Sequence, residues 1–265
     1  MLRIIDSRTG EPVEAAPARR GLTRVQAHAS GLDASALRVL LVADVLVRAL
    51  ELGGHPVWAI LTGARQQAEL RAAATTLGVR PFEDGQDLAA GLGEAQVIHV
   101  AQQRATAAGG SSAGGSSADG AVLVGVAPVT APGHGTGPAA RTAPGGDALE
   151  GVSDPAVLRL ALLAAPHATS LRLDADALDE AGRDLARWRR AVAGWARKPS
   201  RPVPEEVRGR LRTAWENDLD VPGVLRVLRW VEAEPGLPDG ARFETYAYAD
   251  RLLGLDLVRD LGSLA

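Results

Sequence analysis

Cysteine is absent from the 265 residues, and lysine occurs once, at Lys198. The first absence excludes disulfide scaffolds, thiolate zinc sites, iron–sulfur clusters and thiol nucleophiles together. The second leaves the side-chain positive charge to arginine, a bias that fits a G+C-rich genome. It also excludes a phosphate-binding P-loop, because Lys198 follows a helix with no glycine loop before it. Aromatic residues make up only 3% of the chain, so its core must be packed from Ala, Val and Leu, which a 46% hydrophobic fraction supplies. A net charge of -3 excludes a globally basic nucleic-acid binder but leaves room for a local basic face. No apolar run approaches the ~18 residues of a membrane span. The N-terminus carries Arg3 and Asp6 and lacks the apolar stretch of a secretory signal. A soluble, cytoplasmic protein with no membrane partner is expected.

The chain alternates strand and helix patterns in its first half. Residues 2–5 and 22–27 read as short strands around a turn centred on Gly10 and Pro12. A helix follows, with Ser30 or Asp33 as N-cap, a wide apolar face from Leu37 to Leu50, and a stop at Gly53-Gly54. PVWAIL (56–61) is a buried strand, 64–77 a second helix, 86–92 a weak helix and AQVIHVA (95–101) another strand. This alternation argues for a parallel α/β sheet. Residues 103–120 contain GGSSA twice in a row and cannot bury enough apolar surface to order themselves, so they read as a flexible linker. The strand AVLVGVA (121–127) and a Pro- and Gly-rich stretch to 151 complete this half. From Asp154 onward the pattern is helical, with helices near 154–165, 174–197, 204–219, 221–233 and 239–253. The division expected is a Rossmann-like domain over 1–152 and a helical bundle over 153–265.

Few motifs carry chemistry by themselves. Gly110 to Gly114 matches the GxSxG pattern formally, but it lies inside the repeated GGSSA tract and not on a strand-to-helix turn, so Ser112 reads as linker. No two of His28, His55, His99, His134 and His167 stand at the i, i+4 spacing of a helical metal pair, and no metal site is expected. His55, His99 and His167 read as packing residues, whereas His28 and His134 follow strands and are better placed for ligand contact. Arginines concentrate on the bundle. Among them Arg187, Arg190 and Arg197, with Lys198, are the candidates for RNA contact, against the plainer reading of a solvated helical face. Trp188 and Trp195 stand seven residues apart on the apolar side of their helix and read as core.

Several segments carry a resemblance. SDPAVLRLALLAAPHATSLRLDADALDEAGRDLARWRRAV (153–192), ENDLDVPGVLRVL (216–228) and RFETYAYADRLLGLDL (242–257) resemble the region of cysteinyl-tRNA synthetases that follows their lysine signature. LRIIDSRTGEPVEAA and VADVLVRALELGGHPV (42–57) are similar to that family's N-terminal strand pair and to its first Rossmann helix with the following strand. The ending at GLDL also resembles the related actinobacterial ligases that join cysteine to glucosaminyl-inositol in mycothiol synthesis. The resemblance implies a class I synthetase-type fold: a Rossmann-like parallel sheet followed by an all-α bundle.

Departures from that pattern decide the functional expectation. The family's HIGH signature falls on Asp33-Ala34-Ser35-Ala36, where an aspartate repels a triphosphate. The lysine signature falls between Val126 and Ser153, a stretch without lysine whose cations are His134 and Arg141. The zinc ligand expected near Gln26 has no cysteine to supply it. The expectation is therefore a degenerate cysteinyl-tRNA synthetase-like protein that keeps a binding or regulatory role toward a small ligand, tRNA or a partner enzyme. An ATP-dependent amino-acid ligase with a rebuilt site and a tRNA acceptor-stem module are the alternatives. By resemblance, the remnant pocket comprises Ala27, His28, Ser30, Asp33, Ser35, Arg38 and His134, with Arg38 as anion contact and Asp33 as ribose or amine contact. ATP or an adenylate is the cofactor class, with no zinc and no catalytic residue assigned.

Overall fold

A computed structural model describes residues 1–17, 21–29, 31–63, 66–84, 94–103, 121–130 and 153–262. The predicted weak helix at 86–92 and the GGSSA linker lie outside these residues, as do Ser30 and His134. Five parallel strands form the central sheet in the order β5-β4-β3-β6-β7, with β3 at Leu22–His28, β4 at Val57–Thr62, β5 at Glu83–Asp84, β6 at Glu94–Gln102 and β7 at Val122–Val126. The chain leaves β3 toward β4 and β5 on one side, then returns to lay β6 and β7 on the other. This makes a Rossmann-like α/β fold, whose topological switch point lies between the carboxyl ends of β3 and β6.

Helix α1 (Ala34–Leu52) is the hub. Its sequence is apolar around nearly its whole circumference, a pattern that belongs to a helix buried on all sides, and sixteen of its residues are buried. One side lies on Val25, Ala27, Ile98, Val100 and Val124 of the sheet, all of them buried. Its other sides meet α2 (Gln67–Thr76) and α7 (Asp239–Leu253). The remaining helices are α3 (Pro155–Leu163), α4 (Ala175–Trp195), α5 (Glu205–Glu216) and α6 (Val221–Ala233). Their starts follow local chemistry: Asp154, Asp174 and Asp220 each cap a helix by accepting from a backbone N–H two or three residues on. Trp188 is fully buried, and its indole N–H donates to Glu232 at 3.1 Å.

Two local expectations change. Pro12 is not in a turn: it opens β2 (Pro12–Glu14), which pairs antiparallel with β1 (Arg3–Ile5), while the turn between them spans Asp6 to Gly10. A proline tolerates an edge strand because no ladder bond needs its missing N–H. Second, β8 (Val129–Thr130) and β9 (Leu171–Arg172) form a small parallel pair that ties the segment after β7 to the segment before α4. Two residues are too few to show a period. The hairpin turn also covers the free edge of β7, where the Ser7 N–H donates to Leu123 O and Ser7 Oγ accepts from the Gly125 N–H.

Buried arginines join the sheet to the bundle. Arg159 on α3 is fully buried and donates to Asp44 at 2.7 Å, to Leu77 O at 3.1 Å and to Leu253 O at 2.6 Å. Asp44 on α1 also accepts from Arg48 and Arg80. Burial pushes the Asp44 carboxyl up, but the charges of Arg159 and Arg48 outweigh it and hold the group below its ordinary value. Arg189 on α4 donates to Leu255 O, Asp256 O and the Asp154 carboxylate.

Candidate functional site

Strand alternation separates the residues expected to share one pocket. Thr23, Val25 and Ala27 point under α1, whereas Arg24, Gln26 and His28 point to the opposite face of the sheet. Ala27 is therefore a core residue, fully buried. Asp33 is the N-cap of α1, and its Oδ1 accepts from the Ala36 N–H at 2.7 Å. Ser35 is 1% exposed, and its Oγ accepts from the Val129 N–H at 2.9 Å. Both side chains are occupied in holding the helix start.

Arg38 corrects the expectation most sharply. It is fully buried and donates to the carbonyls of Ala127, Ala165, Pro166 and Thr169 at 2.8–3.2 Å. Burial lowers its pKa to about 10. The cavity beside it, lined also by His167, Leu162 and Leu219, measures about 10 Å³. That volume is about one water, so Arg38 fastens the loops after β7 and α3 and does not serve as an anion contact. On the bundle, Arg187 pairs with Asp184 and Glu232 at 2.7 and 2.9 Å, while Arg190, Arg197 and Lys198 are exposed along the last turns of α4 and just past its end.

His28 lies in a polar cluster whose other members, Thr62 and His99, were not expected beside it. It ends β3 at the switch point, opposite Thr62 on β4 and Ala101 on β6. Its Nδ1 lies 2.8 Å from Thr62 Oγ1, and its Nε2 lies 2.8 Å from His99 Nδ1. Thr62 Oγ1 in turn donates to Ala27 O at 3.2 Å. Burial lowers the pKa of His28. Burial, then the neighbouring His28, Arg24 and Arg8, lowers that of His99 to about 4. Both rings are neutral near pH 7 and half-buried, so solvent or a ligand can reach them. Gly63, directly after β4, lets the strand ends approach: a Cβ there would sit 1.9 Å from Ala29 O. Neutral imidazoles at the carboxyl edge of a Rossmann-like sheet can accept or donate hydrogen bonds to a ligand and can relay a proton. His99 had the features of a packing residue because the register that brings it to His28 is not written in either strand alone.

No family model matches the chain. Curated proteins do. The chain is 38% identical over 109 residues to the L-cysteine:1D-myo-inositol 2-amino-2-deoxy-alpha-D-glucopyranoside ligase of Streptosporangium roseum, an alignment covering 40% of this chain and 26% of that protein. It is 39% identical over 112 residues to the ligase of the same name from Streptomyces griseus subsp. griseus, covering 41% and 26%. The Parafrankia sp. protein gives 39% over 114 residues, covering 40% and 25%. Part of this chain is homologous to these cysteine ligases. The chain spans about a quarter of the length of the curated relatives it matches. The resemblance read from the sequence is thus borne out at the level of the ligases related to cysteinyl-tRNA synthetases, and the Rossmann-like fold agrees with it. No helix among the described residues is long and apolar enough to cross a membrane.

Proposed function

We propose that this chain is a ligase-type scaffold that binds a small, nucleoside-like ligand at the carboxyl edge of its sheet without adenylating an amino acid. One observation carries the reading: the N-terminus of α1, which in this fold would receive a triphosphate, is closed by the Asp33 carboxylate on the Ala36 N–H. An anion there meets a fixed negative charge where free N–H donors would be needed. Ser35 and Arg38 are committed to backbone groups nearby, and residues 126–153 contain no lysine. Losing preorganised donors of this kind removes several kcal/mol, roughly, of transition-state stabilisation each. The role that remains is recognition, of an adenosine or adenylate group and through it of a regulatory partner.

The competing reading is an active ATP-dependent ligase with a rebuilt site, and the similarity to the cysteine ligases over 40% of the chain favours it. ATP–pyrophosphate exchange with cysteine separates the two, with calorimetric titration of ATP, cysteine and a non-hydrolysable cysteinyl-adenylate alongside. Binding of the adenylate mimic without exchange is the expected result. Exchange above the protein-free background would overturn the proposal.

A further inference from the structure

The contacts around His28 form a chain of three: Ala27 O to Thr62 Oγ1 at 3.2 Å, Thr62 Oγ1 to His28 Nδ1 at 2.8 Å, and His28 Nε2 to His99 Nδ1 at 2.8 Å. Each contact needs one proton, and a hydroxyl has one to give. The Thr62 hydroxyl is the sole source for the first contact, because a carbonyl has no hydrogen. The second proton must then come from His28 Nδ1. That leaves His28 Nε2 as a lone pair, so the third comes from His99 Nδ1. This is the one assignment that fills all three contacts with neutral rings. It ends with a lone pair on His99 Nε2, a nitrogen with no partner among the described residues.

We infer that Thr62 locks His28 and His99 as Nδ1–H tautomers, so that His99 Nε2, beside His28 of the switch point, is left as the acceptor for a ligand hydroxyl. The class of donor follows from the surroundings. A lone pair on a neutral imidazole accepts from a neutral hydroxyl, and Arg24 and Arg8, the latter paired with Asp6, bear on the same ring. A ribose supplies such hydroxyls, and the carboxyl edge at a switch point is where this sheet type binds nucleosides. The assignment rests on the proposed binding edge but not on the loss of ligase chemistry. An active enzyme would hold its nucleoside by the same nitrogen.

Long-range proton–nitrogen correlation spectra of the imidazoles test it on the ligand-free protein at pH 7.5. His28 and His99 are expected as Nδ1–H tautomers in the native protein and in Thr62→Ser, which keeps the hydroxyl. In Thr62→Val the anchor is gone, and both rings are expected to switch to Nε2–H. Titration with adenosine, the probe for a ribose without phosphate charge, is expected to shift His99 Nε2 upfield and to bind about tenfold more weakly to Thr62→Val. Nε2–H tautomers in the native protein, or a His99 Nε2 signal unmoved by saturating adenosine, would overturn the inference. Neither result depends on pyrophosphate exchange, so this assignment and the loss of ligase activity fail separately.

Discussion

Asp44 offers the most demanding test of how the structure is held. Asp44→Asn keeps the size and shape of the side chain and removes its charge. Arg159, with no exposed surface, would keep two carbonyl partners and lose the one carboxylate hydrogen-bonded to it among the described residues. Removing one member of a buried pair costs about 3–5 kcal/mol, because the remaining charge is left desolvated. In a protein of this size that corresponds to a melting temperature lower by roughly 6–20 °C. Arg80 contacts the same carboxylate but is 39% exposed, so Arg80→Ala leaves no stranded charge and should cost about 0–1 kcal/mol. Urea titrations followed by circular dichroism measure both variants under identical conditions. Raising the salt to about 0.5 M should erase the Arg80→Ala effect and leave that of Asp44→Asn, since buried pairs are screened little. Equal costs for the two substitutions would refute the argument that burial, and not contact, sets the penalty.

Two further outcomes follow from local geometry. His167 has a carbonyl at each ring nitrogen, Gly125 O at 2.9 Å and Asp218 O at 3.1 Å, with Asp218 Oδ1 at 3.3 Å. Burial opposes its charge, yet the hydrogen bond and the charge of Asp218 outweigh it and raise the pKa. Its stabilising contribution is therefore complete below the unfolded imidazole value of about 6.5 and is lost as pH rises through the raised folded value. Unfolding free energy measured from pH 6 to 9 should fall over that window in the native protein and stay flat in His167→Asn; parallel profiles would count against the assignment. Gly63→Ala should destabilise by about 1–3 kcal/mol, because its Cβ would overlap Ala29 O. A melting temperature unchanged from the native protein would show that the strand ends are not held that close.

The parts of this fold that were legible in the sequence are those with a local cause. The wide apolar face of α1, its cap at Asp33, its stop at Gly53 and the helix starts near 154 and 174 each depend on neighbours within a few positions. The candidate site was legible only at His28. Thr62 and His99 join it through parallel pairings 34 and 71 residues distant in the chain, and parallel register leaves no mark in either strand. Arg38 was misjudged for a related reason. The resemblance put it in the remnant pocket as an anion contact, but the carbonyls that accept from it belong to Ala127, Ala165, Pro166 and Thr169, and nothing in the local sequence announces them.

The same arginines bear on the order in which the chain folds. Arg38 reaches carbonyls 89 to 131 residues away, and Arg159 reaches partners 82 to 115 residues away. Loops of that length close at an entropic cost that the arginines' own contacts help offset, and contacts of long sequence separation slow folding. Arg38 gains its carbonyl partners only once the loops after β7 and α3 have been made, whereas Asp44 already has Arg48 on its own helix and Arg80 36 residues on. Until then Arg38 stands on a strongly apolar helix without the carbonyls that accept from it, and burying its charge unpaired is costly. Full seating of α1 is thus tied to segments at 127 and 165–169 that follow it at a distance in the chain.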